Sequence, residues 1–442
     1  MPCKGIYLNI DSLKFISERL VLILNEIYSQ MKLPNLYLFF QTLLCLLFLS
    51  CGLNNSKNCT KKVIDERDVH VYYTAAEKRS EPEIEQPKPL KHIKKMLSEK
   101  HYVYLTEEHE GIHVIDNIDP ANPKCISFIK IAGNWDMTIK GNILYADSYA
   151  DLLIFDVSNP AKPRLIRRLD DVFDWDNVIG RYLNAGLEKE MVQEVNHIKK
   201  EYHIACNDEI DFENKNTAEV AKNGSMSRFC RQGNYLYSID DLDLYVFNIS
   251  YADNPVKVNK LRVEDKIETV FAHKKRLFIG GLQGVYMYDI TSPDKPKQLD
   301  IFRHVESCDP IIIDEAFAYI STRAESACRR GKNALFVLDV SNFDKCSQIA
   351  EFPMQHPYGL AINDNRLYVA EAEFGVKMFS TTEKDRIADS LLASDKSLHA
   401  FDLIALKDKK QLLMTGNDGF YVYDISKADK LIRIGGIKAF GN

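Results

Sequence analysis

One pentapeptide has the spacing of a metal-binding motif. His109-Glu110-Gly111-Ile112-His113 reads H-E-x-x-H, and in a helix this spacing brings both imidazoles onto one zinc ion. The segment contains a glycine and continues into His113-Val-Ile-Asp116, whose alternation predicts a strand. An extended chain would separate the two histidines by ~13 Å. We therefore expect neither a metal site nor protease chemistry here.

The other chemical motifs are weak. Asp240-Asp241-Leu242-Asp243 and Asn417-Asp418-Gly419 are acidic, but they match no complete calcium loop, and Asp and Gly are typical of turns. No phosphate-binding loop, dinucleotide fingerprint or nucleophile elbow occurs in a suitable context. The sequence predicts no cofactor, no metal and no assigned catalytic residue. With 57 Lys+Arg against 63 Asp+Glu and a net charge of −6, it also argues against a nucleic acid partner.

The start of the chain predicts a location. Residues 36–49 form an apolar run that is too short to cross a bilayer and fits the hydrophobic part of a signal peptide. The following Ser50-Cys51-Gly52 resembles a bacterial lipobox, which implies cleavage before Cys51 and lipidation of its thiol. We expect a leader over 1–50, with Met31 as an alternative start, and a polar, proline-containing tether over 51–89. The expected location is the bacterial cell envelope, on the outer membrane.

Seven related segments make up the rest of the chain. Each contains an aromatic strand, a turn rich in Gly and Asp, an alternating strand and a turn of the form D-[IV]-S-x-P. The alternating strands end at intervals of 40 to 50 residues, except for one interval of 92, at Asp116, Asp156, Asn248, Asp289, Asp339, Ser380 and Asp424. Four short strands in ~42 residues, repeated seven times, predict an all-β, seven-bladed β-propeller of four-stranded antiparallel blades over 90–442. A solenoid is the alternative, although its coils usually repeat every ~20–30 residues.

The strand and turn motif resembles the LVIVD-repeat family of bacterial surface propellers. It is carried by Leu153-Ile-Phe-Asp-Val-Ser-Asn-Pro-Ala-Lys-Pro163, by residues 286–296 and by residues 336–341. The resemblance implies an extracytoplasmic repeat protein and assigns no activity. For the Asp of this motif we predict a structural role, as an Asx turn that caps the end of the strand.

The long interval predicts an insertion over 171–224, between blades two and three. Residues 180–203 within it have apolar side chains at helical spacing, which predicts a helix. We name the strands of a blade a to d from the axis outward. Because antiparallel strands alternate in direction, the b–c turns and the d-to-a connections share one face. A second insertion, 324–332, lies in the b–c turn of blade five, so both fall on this face, here called the insert face.

We predict that the insert face binds a partner, because loops on a rigid scaffold carry function more often than the scaffold does. The alternative is an insertion that only covers exposed strand edges. The starts of the a strands supply candidate ligand-binding residues at the end of the axial channel on this face. They are Trp135, Asp136, Glu268, Asp309, Tyr358 and His399. Aromatic and acidic groups in such a ring can bind a ligand, or they only line a water-filled channel.

Ten cysteines need a role in this arrangement. The repeats place Cys308 and Cys328 near the same face of blade five, and Cys206 and Cys230 on either side of the junction between insert and blade three. Both pairs are candidate disulfides in an oxidising compartment. Outside the leader and the lipid site the number of cysteines is odd, so at least one thiol is free or pairs elsewhere.

As a whole the sequence predicts a lipid-anchored scaffold that binds an unknown protein or glycan through the insert face. Two alternatives remain open. One is an enzyme of the hydrolase or lyase type, with Asp136, Glu268, Asp309 and His399 at the mouth of the channel as acid and base groups. The other is a structural surface component or adhesin. The fold does not decide between them, because propellers host many functions.

Overall fold

The computed structural model describes residues 79–174, 227–263, 266–303, 310–324, 332–342 and 345–439, and the backbone of two further strands, 60–74 and 191–205. Contacts divide the chain into two units, Met1–Arg67 with His197–Glu213 and Asp68–Asn196 with Asn214–Asn442. Within the described part of the chain, no helix has the length and apolar character needed to cross a membrane.

The strands are short and follow one another closely. In the first half of the chain they are β1 (Thr60–Thr74), β2 (Glu83–Glu85), β3 (Ile93–Glu99), β4 (Tyr102–Glu107), β5 (Gly111–Asp116), β6 (Lys124–Lys130), β7 (Met137–Lys140), β8 (Ile143–Ser148), β9 (Asp151–Asp156), β10 (Arg164–Leu169), β11 (Met191–Ala205), β12 (Phe229–Gln232), β13 (Tyr235–Ile239), β14 (Asp243–Asn248) and β15 (Val256–Arg262).

In the second half the strands are β16 (Ile267–His273), β17 (Arg276–Gly281), β18 (Gly284–Asp289), β19 (Lys297–Arg303), β20 (Ile311–Asp314), β21 (Phe317–Thr322), β22 (Ala334–Asp339), β23 (Ser347–Pro353), β24 (Leu360–Asn363), β25 (Arg366–Ala370), β26 (Val376–Ser380), β27 (Leu391–Asp395), β28 (Asp402–Leu406), β29 (Gln411–Gly416), β30 (Gly419–Asp424) and β31 (Ile432–Lys438). A single 3₁₀ turn over Ile387–Asp389 precedes β27 within the described chain.

Seven antiparallel sheets, the blades, are each built from four consecutive strands, beginning with β3–β6 and ending with β28–β31. The first strand of each blade contacts the first strand of the next, and β28 contacts β3, which closes the ring. These seven blades therefore form a β-propeller, as the sequence predicts. The b and c strands are buried, and every c–d pair contains one register shift that increases the local twist.

The motif turn at the end of each c strand has the predicted Asx geometry. In all seven blades the last strand residue accepts a hydrogen bond from the backbone N–H two residues later, at 2.8–3.3 Å. Ser380 does so with its hydroxyl where the motif has lost its Asp. The structural role predicted for this Asp is confirmed.

The same turns join neighbouring blades. In three blades a side chain of the preceding blade donates a hydrogen bond to the carbonyl of the fifth motif residue. The donor and acceptor pairs are Ser127 with Pro160, Tyr145 with Ala252, and Tyr237 with Pro293, at 2.7–2.9 Å. Blades six and seven are joined similarly, since Arg366 donates to the carbonyl of Ile425 at 2.8 Å. The repeated motif therefore holds both its own strand end and its neighbour.

The ring closes without a strand shared between its ends. Blade seven packs Leu413, Phe420 and Val422 against an apolar surface of blade one that includes Ile93 and Val103. The outer strand β31 also meets the motif turn of blade one. A Cβ atom on Gly435 would lie 2.1 Å from the Pro120 carbonyl oxygen, so this approach requires glycine.

The chain before the first blade is docked on the propeller. β2 pairs antiparallel with the outer strand β6, which gives blade one five strands. Arg79 binds the buried Asp151 of blade two through two hydrogen bonds of 3.0 Å, and Leu90 is fully buried. We call residues 79–90 the strap. The end of the predicted tether is thus extended, as its composition indicates, but it is paired with the propeller.

The insertion differs from the prediction where the structure describes it. Residues 191–205 form the strand β11, which pairs with β1 in a two-stranded sheet. The helix predicted over 180–203 is not confirmed, and residues 180–190 lie outside the described part. The segment contains Val192, Val195, Ile198, Tyr202 and Ile204. Branched and aromatic residues of this kind favour strands, and a partner strand overrides a helical spacing of apolar residues.

A substitution in the blade one motif should stabilise the fold. Asn117 stands where other blades have Val157 or Val340, and its side chain is only 4% exposed. Neither of its polar atoms has a hydrogen-bond partner among the described residues. Because a buried amide without partners is costly, we expect Asn117→Val to raise the free energy of unfolding by roughly 1–2 kcal/mol. Urea titration measures it.

The reverse substitution in blade two provides the matched control. Val157→Asn should lower the free energy of unfolding, because it introduces the same buried amide into an apolar cluster. A neutral or destabilising Asn117→Val would show that the amide has a partner and contradict the prediction.

Candidate binding face

The structure places five of the six predicted ring residues at one end of the a strands. Trp135 and Asp136 directly precede β7, and Glu268 is the second residue of β16. Tyr358 and His399 precede β24 and β28, while Asp309 lies outside the described part. The strand directions put all five on the insert face. They do not form one open ring, because Asp136, Glu268 and Tyr358 are buried.

Asp136 is the centre of a buried charge network. Its carboxylate forms an ion pair with Lys95 of β3, and it accepts hydrogen bonds from the backbone N–H groups of Met137, Arg228 and Phe229. The Lys95 ammonium also donates to the Met137 carbonyl at 2.8 Å and to the Ser227 hydroxyl at 2.9 Å. Three blades are joined in this way beside the channel. Such a paired carboxylate organises backbone and has little freedom to act as an acid or base.

A second buried carboxyl shapes the connection that carries Trp135. The Oδ1 atom of Asp147 accepts hydrogen bonds from the backbone N–H groups of Trp135 and Asp136 at 2.7 and 2.9 Å, and from the Asn134 amide at 2.9 Å. Burial raises the pKa of Asp147 to about 7. These bonds fix the residues between blades one and two, so the Trp135 ring is held in place by the backbone on which it sits.

Trp135 is partly exposed and flanked by two other groups. The His109 ring meets it edge to face, with centroids 4.9 Å apart, and the Arg228 guanidinium lies 5.6 Å from the indole centroid. Arg228 also donates to Asp241 at 3.0 Å. Cation–π and ring contacts of this type make a planar surface with a fixed charge beside it.

Glu268 and Tyr358 lie deeper and meet a second arginine. The Arg323 guanidinium is 4.1 Å from the Tyr358 ring centroid, and Arg323 is 1% exposed. Burial raises the pKa of Glu268, against the opposing effect of Lys266, Arg228 and Arg323. Two buried ionisable side chains, Glu268 and Arg323, thus lie in this part of the insert face.

A group of rings occupies the side formed by blades six and seven. The His356 and Tyr358 rings are 5.1 Å apart, those of Tyr358 and Phe401 5.0 Å, and those of Phe401 and His399 4.3 Å. His356 Nδ1 lies 3.0 Å from a carboxylate oxygen of the exposed Glu373. Here two imidazoles and a carboxylate are reachable from solvent above an aromatic floor.

An axial cavity of about 420 Å³ extends below these groups. It is lined by the a strands of all seven blades, with Lys95, Cys230, Val270, Ile312, Leu360 and Leu403 among the lining residues. The polar side chains on its wall include Lys95, Thr138, Ser227, Arg231 and Asp402, among mainly apolar residues.

The H-E-x-x-H motif lies in a turn and a strand, as predicted. His109 has a φ of +62°, and His113 belongs to β5, where it is fully buried. His113 Nε2 is 2.7 Å from Glu107, and Cys125 Sγ is 3.8 Å from His113 Nδ1. Burial raises the pKa of Cys125 to about 11, so its thiol stays protonated at neutral pH and is a poor nucleophile.

The cysteine pairs stay predictions. Cys206, Cys308 and Cys328 lie outside the described part. Among the described residues, Cys125, Cys230 and Cys346 form no disulfide with one another, and burial raises the pKa of Cys230. The lipidation site Cys51 also lies outside the described residues.

Sequence reasoning missed the cations that hold this face together. Lys95 follows Lys94 in β3, which reads Ile-Lys-Lys-Met-Leu-Ser-Glu, so the sequence does not mark it as buried. Its partner Asp136 is 41 positions away in another blade. Arg228 and Arg323 flank the insertions and resemble ordinary loop residues in the sequence. His109 belongs to a motif without metal-binding geometry, and its contact with the Trp135 ring has no signal in the sequence.

The fold and the site define the class of protein: a seven-bladed β-propeller built from sequence repeats, with two insertions on one face. Residues 133–171, which contain blade two, match the family model described as LVIVD repeat. This match confirms the resemblance predicted from Leu153–Pro163. A comparison with curated proteins gives no match.

Solved structures resemble the chain in fold. The computationally designed Ika8 protein shares 11% identity at a TM-score of 0.50, over 80% of this chain and 91% of its own. A functionally unknown protein from Desulfotomaculum acetoxidans also shares 11% identity at a TM-score of 0.50, over 78% and 98%. BamB from Moraxella catarrhalis has 8% identity and a TM-score of 0.46, over 75% and 80%. At these identities the likeness extends to the fold alone.

The raised pKa of Asp147 gives a testable pH dependence. A carboxyl whose pKa is near 7 in the folded protein binds its proton more tightly there than in the unfolded chain. Its contribution to the free energy of unfolding therefore falls as pH rises from about 4 to 7. Asp147→Asn keeps the accepting Oδ1 atom and cannot ionise. Relative to the wild type, we expect this variant to gain roughly 2–4 kcal/mol of unfolding free energy between pH 4 and pH 8.

Asp156→Asn is the control, because it keeps the Asx acceptor at an exposed turn. There, hydrogen bonds from Ser158 lower the pKa of the carboxyl, so its stabilising effect is lost only as pH falls through the acidic range. Its unfolding free energy relative to the wild type should stay constant from pH 5 to pH 8. A constant difference for Asp147→Asn over the same range would refute a titration near neutrality.

Proposed function

We propose that this protein is an extracytoplasmic, lipid-anchored scaffold that binds a macromolecular partner through the insert face. The observation that carries the proposal is the group of partly exposed rings around the axis on this face. Trp135 and His109 lie on one side, and His356 and His399 lie on the other. Rigid amphipathic rings supply contact area at a low cost in conformational entropy.

The buried charges support a binding role because they fix the backbone beneath the rings. Lys95 and Asp136 join the starts of three blades, and Asp147 orders the residues that carry Trp135. A preorganised surface loses little freedom on association and so keeps more of its contact energy. Asp136 is one of the residues that the sequence offers as an acid or base. Its carboxylate is already bound by Lys95 and by three backbone N–H groups. For that reason we favour a scaffold over an enzyme.

The proposed partner is a protein or a glycan, since both present planar or apolar surfaces with hydrogen-bonding groups for rings to contact. Both insertions leave the propeller on the insert face, between β10 and β12 and between β21 and β22. We propose that they extend the contact area, including any helix formed in the first insertion. The leader and Cys51 are the basis for placing the protein on the outer membrane of a bacterial envelope.

Removing rings from the insert face should release the partner. We expect Trp135→Ala and His356→Ala, combined in the full-length chain, to lower the recovery of proteins or glycans captured from the native membrane at least about tenfold. Quantitative mass spectrometry and glycan analysis of the captured material provide the readout. Tyr251→Ala is the matched control, because this tyrosine is 78% exposed on a motif turn of the opposite face.

The insertion is tested by replacing residues 179–222 with a short Gly-Ser linker. Val172, Phe173 and Phe229 pack in one apolar cluster and are kept so that the blades stay intact. If the ring variant and the linker variant both capture the same partners as the wild type and the Tyr251→Ala control, the insert-face proposal is wrong.

The anchor is tested by metabolic labelling with an alkyne fatty acid. We expect the wild type and Cys45→Ala to carry the label and to sediment with membranes, whereas Cys51→Ala should be unlabelled and appear in the supernatant after cell lysis. A labelled Cys51→Ala, or an unlabelled wild type, would contradict lipidation at this residue.

A further inference from the structure

The molecule contains its own example of strand addition to an outer blade edge. In the strap, Glu83, Ile84 and Glu85 pair with Lys130, Ile129 and Phe128 of β6. The Lys130 ammonium lies 3.6 Å from Glu83 and 3.7 Å from Glu85. The occupant is therefore extended, with an apolar residue between two acids, and the acceptor edge ends in a cation. Main-chain pairing with side-chain selection is the chemistry of β-augmentation.

The outer strands of the other six blades pair with no further strand among the described residues. An exposed strand edge presents unpaired N–H and C=O groups that another chain can use. The six edges differ in how well they match β6. β23 and β27 carry Glu351 and Asp395 near the end that corresponds to Lys130, so they would repel an acidic strand. β10 is approached by the strap itself, because Arg168 donates to the Ser80 carbonyl.

β15 of blade three is the best match. It reads Val-Lys-Val-Asn-Lys-Leu-Arg from Val256 to Arg262, and Val256 and Val258 are 53% and 42% exposed. Arg262 pairs with Asp243 at the start of the c strand, just as Lys130 pairs with Gly111. It occupies the same position in its blade as the lysine that holds the strap.

Two more edges share only part of this pattern. β19 and β31 end in Arg303 and Lys438 at the equivalent position. β19 carries Asp300 in its middle, and Asp300 is already bonded to the Cys346 backbone. β31 turns Gly435 against the blade one turn. Among these described edges, β15 alone combines three cations with two exposed valines. Lys260 and Arg262 each form an ion pair with Asp243, Lys260 also pairs with Asp174, and Lys257 donates to the Val172 carbonyl.

We propose that the edge of β15 accepts an extended acidic segment of a partner protein, with an apolar residue between two acids, as an antiparallel fifth strand of blade three. This site is separate from the insert-face rings and does not depend on them. The cations attract the acidic segment. In the register that β2 has on β6, its two acids lie opposite Arg262 and Lys260, and its apolar residue lies opposite Leu261.

The test uses a peptide copy of residues 80–86, Ser-Glu-Pro-Glu-Ile-Glu-Gln, with a photo-reactive phenylalanine derivative in place of isoleucine and a fluorophore at one end. It is added to the full-length protein, in which the strap already covers β6. Fluorescence anisotropy measures affinity, and mass spectrometry locates the cross-links. We expect cross-links within 256–262 and weaker binding at high salt.

Variants and a modified peptide distinguish strand pairing at β15 from binding at another edge and from charge attraction alone. Arg262→Glu should weaken binding roughly tenfold, because like charges directly opposite destabilise strand pairs, while Arg303→Glu and Lys438→Glu should change it less than about twofold. N-methylation of the two central peptide amides should abolish binding, whichever amide faces β15. Far-ultraviolet circular dichroism checks that each variant is folded, and Arg262→Ala serves if the charge reversal is not.

Cross-links to β6, β19, β31 or the insert-face rings would overturn the proposal, as would the absence of saturable binding. Equal binding of the N-methylated peptide would also overturn it, since it would mean charge attraction without strand pairing. The peptide assay tests the β15 edge, and partner capture tests the insert face. If Arg262→Glu loses peptide binding but still captures the same partners, the insert-face proposal is unaffected, so the two proposals can fail independently.

Discussion

The propeller depends on one recurring contact, in which the motif turn of a blade lies against the blade before it. The Asx hydrogen bond makes the turn rigid, and its fifth residue then presents a carbonyl to a hydroxyl of the neighbour, as in the pairs Tyr145 with Ala252 and Tyr237 with Pro293. A hydrogen bond of this kind contributes about 1 kcal/mol. Closure between blades seven and one then follows from apolar packing, without a strand exchanged between the ends of the chain.

This contact divides the two faces by role. The motif turns lie on the face opposite the insertions, where their sequences are constrained by their neighbours. In the described part of the chain, the insert face carries b–c turns and d-to-a connections instead, and these can vary in length and composition without opening the ring. On the insert face, buried charges fix the backbone. The Lys95–Asp136 ion pair, for example, connects blades one and two, which the motif turn joins on the opposite face. Isolated buried pairs rarely add net stability, which is consistent with a role in positioning the groups above them.

The fold could be predicted from the sequence because each blade repeats the same local signals. Asp156 and its counterparts mark strand ends through hydrogen bonds that span two residues, and alternation marks the strands. The helix prediction over 180–203 is not confirmed, because short apolar spacing does not distinguish a helix from a strand that finds a partner. Aligning the repeats places ring residues such as Trp135 and Tyr358 correctly. Their partners Arg228 and Arg323 escape prediction, because contacts between blades join positions far apart in the chain and leave no local pattern.

The strap also determines how the propeller would respond to mechanical load. Tension along the chain that precedes Arg79 first meets the two hydrogen bonds to Asp151 and then the β2 pairing with β6. Asp151 belongs to blade two and β6 to blade one, so the force is divided between two blades before it reaches β3. The innermost strand, on which ring closure depends, is shielded by contacts that can break and re-form. A pull on the preceding chain would therefore load residues 79–90 and the outer strand of blade one before it loads the closed ring.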